Sequence, residues 1–271
     1  MKKWSLIPIG VFAATTYVLS AWLGLGHLHL FKGHGKAKPM IWAAWQAPDP
    51  DTLPIGPSGD SVRYGIHIFR ETPWYAASYT GSRIACSDCH IEGGIAPYAI
   101  PLVGIAGRFP MYSKRAGHLI SLQDRIEECF TRSENGRPLP YDSREMRALT
   151  DYFQWLSQPQ PAHLPFVDQG LAPLPALIQN PVHGAQIYAS QCLGCHGKNG
   201  AGSPPLFPPL WGPTSFNDGA GMNRMETMAA FVQSNMPQNR KGALSAQDAW
   251  DVAAFIHAQP RPAFNPAYKS Y

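Results

Sequence analysis

Residues 86–90 read CSDCH and residues 192–196 read CLGCH. The motifs start 106 residues apart and use four of the chain's five cysteines. Two thiols three positions apart match the two vinyl groups of a haem, and the imidazole of the following residue reaches its iron. A lone CxxC would also suit zinc, a redox dithiol or a disulfide. Two complete CxxCH motifs instead predict two covalently bound haem c groups, attached through Cys86, Cys89, Cys192 and Cys195. His90 and His196 are then the proximal iron ligands.

Each motif sits in a unit of the same plan: a short helical stretch, the motif, a loop-rich middle and a closing amphipathic helix. In the first unit, SREMRALTDYFQWL (143–156) puts Met146, Leu149, Phe153 and Leu156 on one stripe, with Asp142 and Glu145 as its capping-box start. In the second, Ser245 and Asp248 open a helix that turns Trp250, Ala253, Ala254 and Ile256 to a core, and QPRP stops it. Strand alternation is nowhere sustained, so the expected fold class is all-α: two cytochrome c-like haem domains over 61–158 and 181–262. A proline-rich linker over 159–180 joins them, and 263–271 forms a tail.

Lys2 and Lys3 precede a stretch from Trp4 to Phe31 without a single Lys, Arg, Asp or Glu. That pattern reads as export, and at about 1.5 Å per residue the stretch can span a bilayer core. Residues 1–31 are therefore expected to be a signal anchor that tethers the protein to the periplasmic side of the membrane. Val18 and Ser20 before Ala21 make peptidase cleavage, and a soluble periplasmic protein, the rival; a buried core helix is the bland alternative. Residues 32–60 read as a tether and extended arm, with Trp42 and Trp45 packed on the domain. The 27 prolines and 25 glycines predict many loops, and a net charge of +4 is too modest for a nucleic-acid partner, though compatible with an anionic small substrate.

In the second unit Met236 in SNMPQ stands 40 residues after His196 and is the favoured distal ligand. Met222, Met225 and Met228 compete, but the last two fall in RMETMAAFVQ, a helical stretch where methionine more often packs. Lys241 is also within reach. The first unit has no MP pair; its candidates are Met111, His118, Cys129 and Met146, the last on the helix stripe. Cys129 follows His90 by 39 residues, close to the Met236 spacing, and that parallel favours it.

If Ser121 caps a helix through Arg132, then Arg125 and Cys129 are one turn apart, Ser133 follows a turn later and Arg132 flanks them. Guanidinium groups depress a thiol pKa and grip oxyanions with forked hydrogen bonds, so this face suits a thiolate beside a sulfur oxyanion. Arg115 extends the pocket. Glu127 and Glu128 are expected on a solvated, ion-paired side. A thiol that only packs, or one forming an intermolecular disulfide, is the alternative.

RIACSDCHIEGG, RAGHLISLQDRIEECFTRSENGRPLP, SREMRALTDYFQWLS, GKNGAGSPPLFPPLWGPTSFNDGAGMNRM and DVAAFIHAQPRP together resemble the dihaem thiosulfate dehydrogenases of the TsdA type, over about residues 60–262. The resemblance implies His90 and Cys129 as axial ligands of the first haem, His196 and Met236 of the second, and Arg115, Arg125 and Ser133 around the substrate. It also implies oxidation of two thiosulfates to tetrathionate, reversible in several members, with electrons passing through the second haem to an acceptor such as another cytochrome. Some members carry a lysine before the distal methionine and exchange ligands on reduction; this chain has Asn235 there. The competing functions are a tethered electron-transfer cytochrome without substrate chemistry and a haem subunit of a sulfur-carrier system. Cys129 with its arginines speaks against the first and the complete second haem domain against the other.

Overall fold

The computed structural model describes residues 48–158 and 170–269. The anchor over 1–31, most of the 32–60 arm with Trp42 and Trp45, and the first half of the linker lie outside the described residues. Among those described, no helix is long and apolar enough to cross a membrane. The longer helices are α1 (Pro57–Arg70), α2 (Leu122–Arg132), α3 (Arg144–Ser157), α4 (Pro181–Ile187), α5 (Met225–Asn235) and α6 (Ala246–His257).

Both units are built on a close crossing of their first and last helices. Helix α1 starts at Gly56, which has φ 108°, followed by Pro57 with its φ preset for the first turn. It crosses α3 at Gly65, where an added methyl would stand 2.1 Å from the Ala148 carbonyl oxygen. Helix α4 crosses α6 at Gly184, where it would stand 1.9 Å from the Asp251 carbonyl oxygen. No side chain fits either gap, so glycine sets how closely the helices approach. Around the first crossing Ile68, Phe69, Phe130, Met146, Leu149 and Leu156 form one core. Tyr188, Trp211, Met228, Trp250, Val252 and Ile256 form the other.

The caps follow local chemistry. Ser121 accepts from the Asp124 N–H (3.1 Å) while Asp124 accepts from the Ser121 N–H (2.6 Å), a reciprocal box opening α2. At α3 the cap is Ser143, which accepts from the Met146 N–H at 3.0 Å, and not Asp142 as expected. Asp142 instead belongs to the preceding turn, where its carbonyl accepts from Arg147. Ser245 caps α6 through the Asp248 N–H at 3.0 Å.

The all-α expectation needs one amendment. Met111–Ser113 (β1) and His118–Ile120 (β2) pair antiparallel, with Tyr112 opposite Leu119. Strands of three residues are too short for alternation to register in the sequence. The fold is mostly helical with this one hairpin among the described residues.

The units share an apolar seam. Ile84, from the first, packs in the second core, and Ile91, Ala96 and Ala99 meet Phe231 and Met236. Two fully buried asparagines pin the seam: Asn217 donates to the Thr131 carbonyl (2.8 Å), and Asn235 to the Tyr98 carbonyl (3.0 Å).

Below Gly184, buried Asp251 accepts from the Asn180 N–H (2.7 Å) and Gln247 Nε2 (2.8 Å) and meets His183 Nδ1 at 2.8 Å. Burial alone would push its carboxyl up, but these partners outweigh burial and hold it below the usual carboxylate range. A depressed folded pKa contributes stability above the unfolded value of about 3.9 and loses it as pH falls through the folded value. Asp251→Asn is therefore expected to cost about 1–3 kcal/mol near neutrality and to flatten the acid limb of stability below about pH 4. Chemical unfolding at a series of pH values checks it.

Candidate haem centres

The first motif forms a single helical turn, Cys86–Cys89, started by the Ala85 N–H donating to Asp88 Oδ2 at 2.8 Å. Fully buried Thr72 anchors it: its hydroxyl accepts from the Cys86 N–H (3.1 Å) and lies 3.3 Å from the Cys86 sulfur. His90 caps the turn, and its Nδ1 meets the Ile100 carbonyl at 2.7 Å. Ile100 has φ 52°, a left-handed conformation costly for a β-branched side chain, which aims its carbonyl at the imidazole.

The second motif ends a helical run that passes from α4 through a π-turn, Tyr188–Cys192, into Leu193–His196. His196 Nδ1 meets the Pro208 carbonyl at 3.0 Å. Both histidines thus commit Nδ1 to a backbone carbonyl, which fixes the tautomer and leaves Nε2 with its lone pair. Burial lowers the pKa of both, His90 to about 4, and keeps the imidazoles neutral as a metal ligand requires.

Cys192, Cys195, His196 and Met236 line one cavity of about 750 Å³, within the usual range of cofactor sites. Its remaining walls are mainly apolar, with Leu210, Phe231, Val232 and Ile256 among them, so chemistry and size both fit a haem. Cys89 and Ile84 of the first unit also belong to this wall. Of the rival ligands, Met222 and Met228 line the cavity too, Met228 as part of the core, whereas Met225 is not in the wall. Lys241 is exposed and donates to Glu92 at 2.9 Å. Asn235, just before Met236, is fully buried and holds both the Tyr98 and the Phe231 carbonyls (3.0 and 3.1 Å).

In the first unit Met146 is core, while Met111 and His118 lie exposed on the hairpin. Cys129 lies among the motif groups, close enough that its charge would raise the pKa of Cys86 and Cys89. Arg125, one turn before it, donates to Glu128 Oε2 at 3.0 Å, and Arg115 from the hairpin turn stands 3.9 Å from Glu128 Oε1. Two guanidiniums converge on one carboxylate, a local surplus of positive charge. Ser133 follows Cys129 by a turn, its N–H bonded to the Cys129 carbonyl. Arg132 turns away, donating to the Gly219 carbonyl (3.5 Å) with its guanidinium 4.1 Å from the centre of the Phe264 ring.

Two expectations need correction. Glu127 and Glu128 are buried instead of solvated, while the expected ion pairing holds for Glu128, which meets Arg115 and Arg125. Burial raises Glu127 to about 7, while Glu128 serves the arginines. Burial also lifts the Cys129 thiol further than Arg125 and Arg115 lower it, so the arginines alone do not produce a thiolate. The sequence reading missed Thr72, the burial of Glu128 and the clamp made by Asn235. No pattern marks Thr72, but the unusual polar residue before a distal-methionine candidate was a usable signal for Asn235.

The SoxA/TsdA cytochrome c domain family matches residues 72–161, and the cytochrome c oxidase, cbb3-type, subunit III family matches residues 179–256. Thiosulfate dehydrogenase of Allochromatium vinosum is 41% identical over 242 residues, covering 85% of this chain and 88% of the relative. Thiosulfate dehydrogenase of Stutzerimonas stutzeri is 41% identical over 224 residues, covering 80% and 73%. The solved thiosulfate dehydrogenase (TsdBA) of Marichromatium purpuratum, in its "as isolated" form, superposes with a TM-score of 0.76 at 35% identity; the match covers 80% of this chain and half of that one.

Asn235→Ala removes the amide that bonds the Tyr98 and Phe231 carbonyls in the buried seam. The expected result is a loss of about 1–3 kcal/mol in denaturant unfolding, with both haems still attached by denatured-haem absorbance.

Proposed function

The chain belongs to the thiosulfate dehydrogenase family, an oxidoreductase family of haem-domain cytochromes, and from that membership we propose a periplasmic dihaem enzyme that joins two thiosulfates into tetrathionate beside Cys129. The observation that carries the reading is the convergence of Arg115 and Arg125 on buried Glu128, one residue from Cys129. A carrier without substrate chemistry has no use for an anion pocket at its ligand.

His90 and Cys129 would hold the iron of the first haem, and His196 and Met236 that of the second. When bound, each haem c supplies a one-electron acceptor, so the pair matches a two-electron oxidation. A thiol that holds a metal does so deprotonated, so Cys129 would there be the thiolate that the arginines alone do not produce. Arg115 and Arg125 keep N–H groups free beyond Glu128, with side chains 34% and 44% exposed, and offset the repulsion between two dianions brought together. Glu128 holds both guanidiniums in place, and the Ser133 hydroxyl offers a further donor to a sulfonate oxygen. A sulfur–sulfur bond forms between two outer sulfurs as each thiosulfate gives up one electron; no proton moves and one dianion leaves. The same contacts serve tetrathionate reduction when a donor supplies electrons.

Mixing the purified dihaem protein with thiosulfate is expected to reduce the haems and yield tetrathionate, followed by absorbance and by product analysis. Haems unmoved by thiosulfate, and equally by tetrathionate after prior reduction, would sink the enzyme reading in favour of a pure carrier. Cys129→Ala is expected to abolish turnover while both haems stay attached, and to remove a low-spin thiolate signal in electron paramagnetic resonance. Arg125→Ala is expected to lower kcat/KM by about ten- to a hundredfold, the worth of a charged hydrogen bond, with Arg125→Lys restoring only part because it lacks the fork.

A further inference from the structure

Two sulfonates must be held when two thiosulfates meet, and tetrathionate carries one at each end. Arg115 and Arg125 both lean on Glu128 and so make a single cationic patch. A second patch needs a cation outside that group, and the chain brings one from its second unit.

The segment from Asn217 to Arg224 is fastened to the end of α2, two and three residues past Cys129. Asn217 donates from its backbone N–H to the Arg132 carbonyl (3.2 Å) and from its side-chain amide to the Thr131 carbonyl (2.8 Å). The Arg132 guanidinium reaches back to the Gly219 carbonyl (3.5 Å). From there the chain coils tightly: the Asn223 amide donates to the Asp218 carbonyl at 2.9 Å, and the Arg224 N–H to the Gly221 carbonyl at 3.2 Å. Met222 packs against Ile91, Ala96 and Ala99, which follow His90 in the chain. The coil thus touches the end of α2 and the loop after His90, and Arg224 is its last residue.

Arg224 is exposed and starts α5 without a side-chain cap. Among the described residues it has no carboxylate partner. Asp218, in the same coil, accepts instead from the Phe264 N–H at 2.7 Å. The Arg224 charge nevertheless reaches Arg115: burial lowers the Arg115 pKa, Glu128 opposes, and the like charges of Arg125 and Arg224 lower it further. Buried Arg132, whose Nε has no partner, lies in the field of Arg115 and Arg125 as well. Guanidiniums gathered this way repel one another, and an arriving dianion relieves the repulsion.

We propose that Arg224 binds the sulfonate of the second thiosulfate, and hence one end of tetrathionate, so that a residue of the second unit completes the substrate site of the first. The proposal rests on the thiosulfate reading above and divides that site into one subsite at Arg115 and Arg125 and another at Arg224. The unaltered holoprotein, Arg224→Ala and Arg224→Lys are compared in thiosulfate oxidation with a basic single-haem cytochrome c as acceptor. Calorimetry then follows tetrathionate binding to the fully oxidised holoproteins, which have no electrons to give it. Arg224→Ala is expected to raise the half-saturating thiosulfate concentration and to weaken tetrathionate binding, each by about tenfold, the effect of losing one charged hydrogen bond. The maximal rate is expected to change far less, and Arg224→Lys to recover part of the loss because it keeps the charge without the fork. Midpoint potentials of both haems are expected to match those of the unaltered protein. If either half-saturation or tetrathionate binding is unaltered in Arg224→Ala, the subsite falls. It falls equally if the weakening comes with a shifted potential at the first haem, because the guanidinium then serves that group's own carboxylates. If the unaltered protein oxidises no thiosulfate, the substrate reading fails by itself; weaker tetrathionate binding in Arg224→Ala still upholds the anion subsite, and equal binding removes it.

Discussion

Two hydrogen bonds of under 3.1 Å, from His90 to the Ile100 carbonyl and from His196 to the Pro208 carbonyl, are what the rest of the structure is arranged to deliver. An imidazole on a one-turn helix can swing about its χ angles, and a bond at Nδ1 removes that freedom. Each acceptor sits on a loop that no helix stiffens, so other contacts must hold it. Ile100 is kept by its own N–H donating to the Gly170 carbonyl at 3.0 Å, in a backbone conformation it would not choose alone. The loop-rich middles are thus the parts that aim the carbonyls.

The helices have the complementary task. Gly65 against Ala148 and Gly184 against Asp251 let each unit close at backbone contact, which brings the motif turn and the closing helix into one small core. Several buried carboxyls among the described residues have a partner or a neutral form. Asp251 has three donors, Glu128 two guanidiniums, and burial lifts Glu134 well above the carboxylate range beside the Ser82 hydroxyl.

Much of this was legible in the sequence. The CxxCH spacing, the stripe of Met146, Leu149, Phe153 and Leu156, and the Ser121 cap are short-range patterns, and short-range patterns survive folding. What was not legible depends on partners far away in the chain. Glu128 looks like any surface acid until the hairpin carries Arg115 to it, and the hairpin itself is too short to register. The thiol of Cys129 illustrates a sign that sequence cannot decide, because neighbouring arginines and burial push it in opposite directions and only the packed structure weighs them. Asn235 looked like a missing lysine; its positive role needed Tyr98, 137 residues away.

Asn235 also joins parts that chain order keeps apart. It sits next to Met236 and grips Tyr98, which lies two residues before the Ile100 carbonyl that steadies His90. A short mechanical linkage therefore runs from the wall of one centre to the imidazole of the other, through backbone and one amide. The two centres therefore share a continuous bonded path, and neither imidazole nor methionine wall is built from its own half of the chain alone.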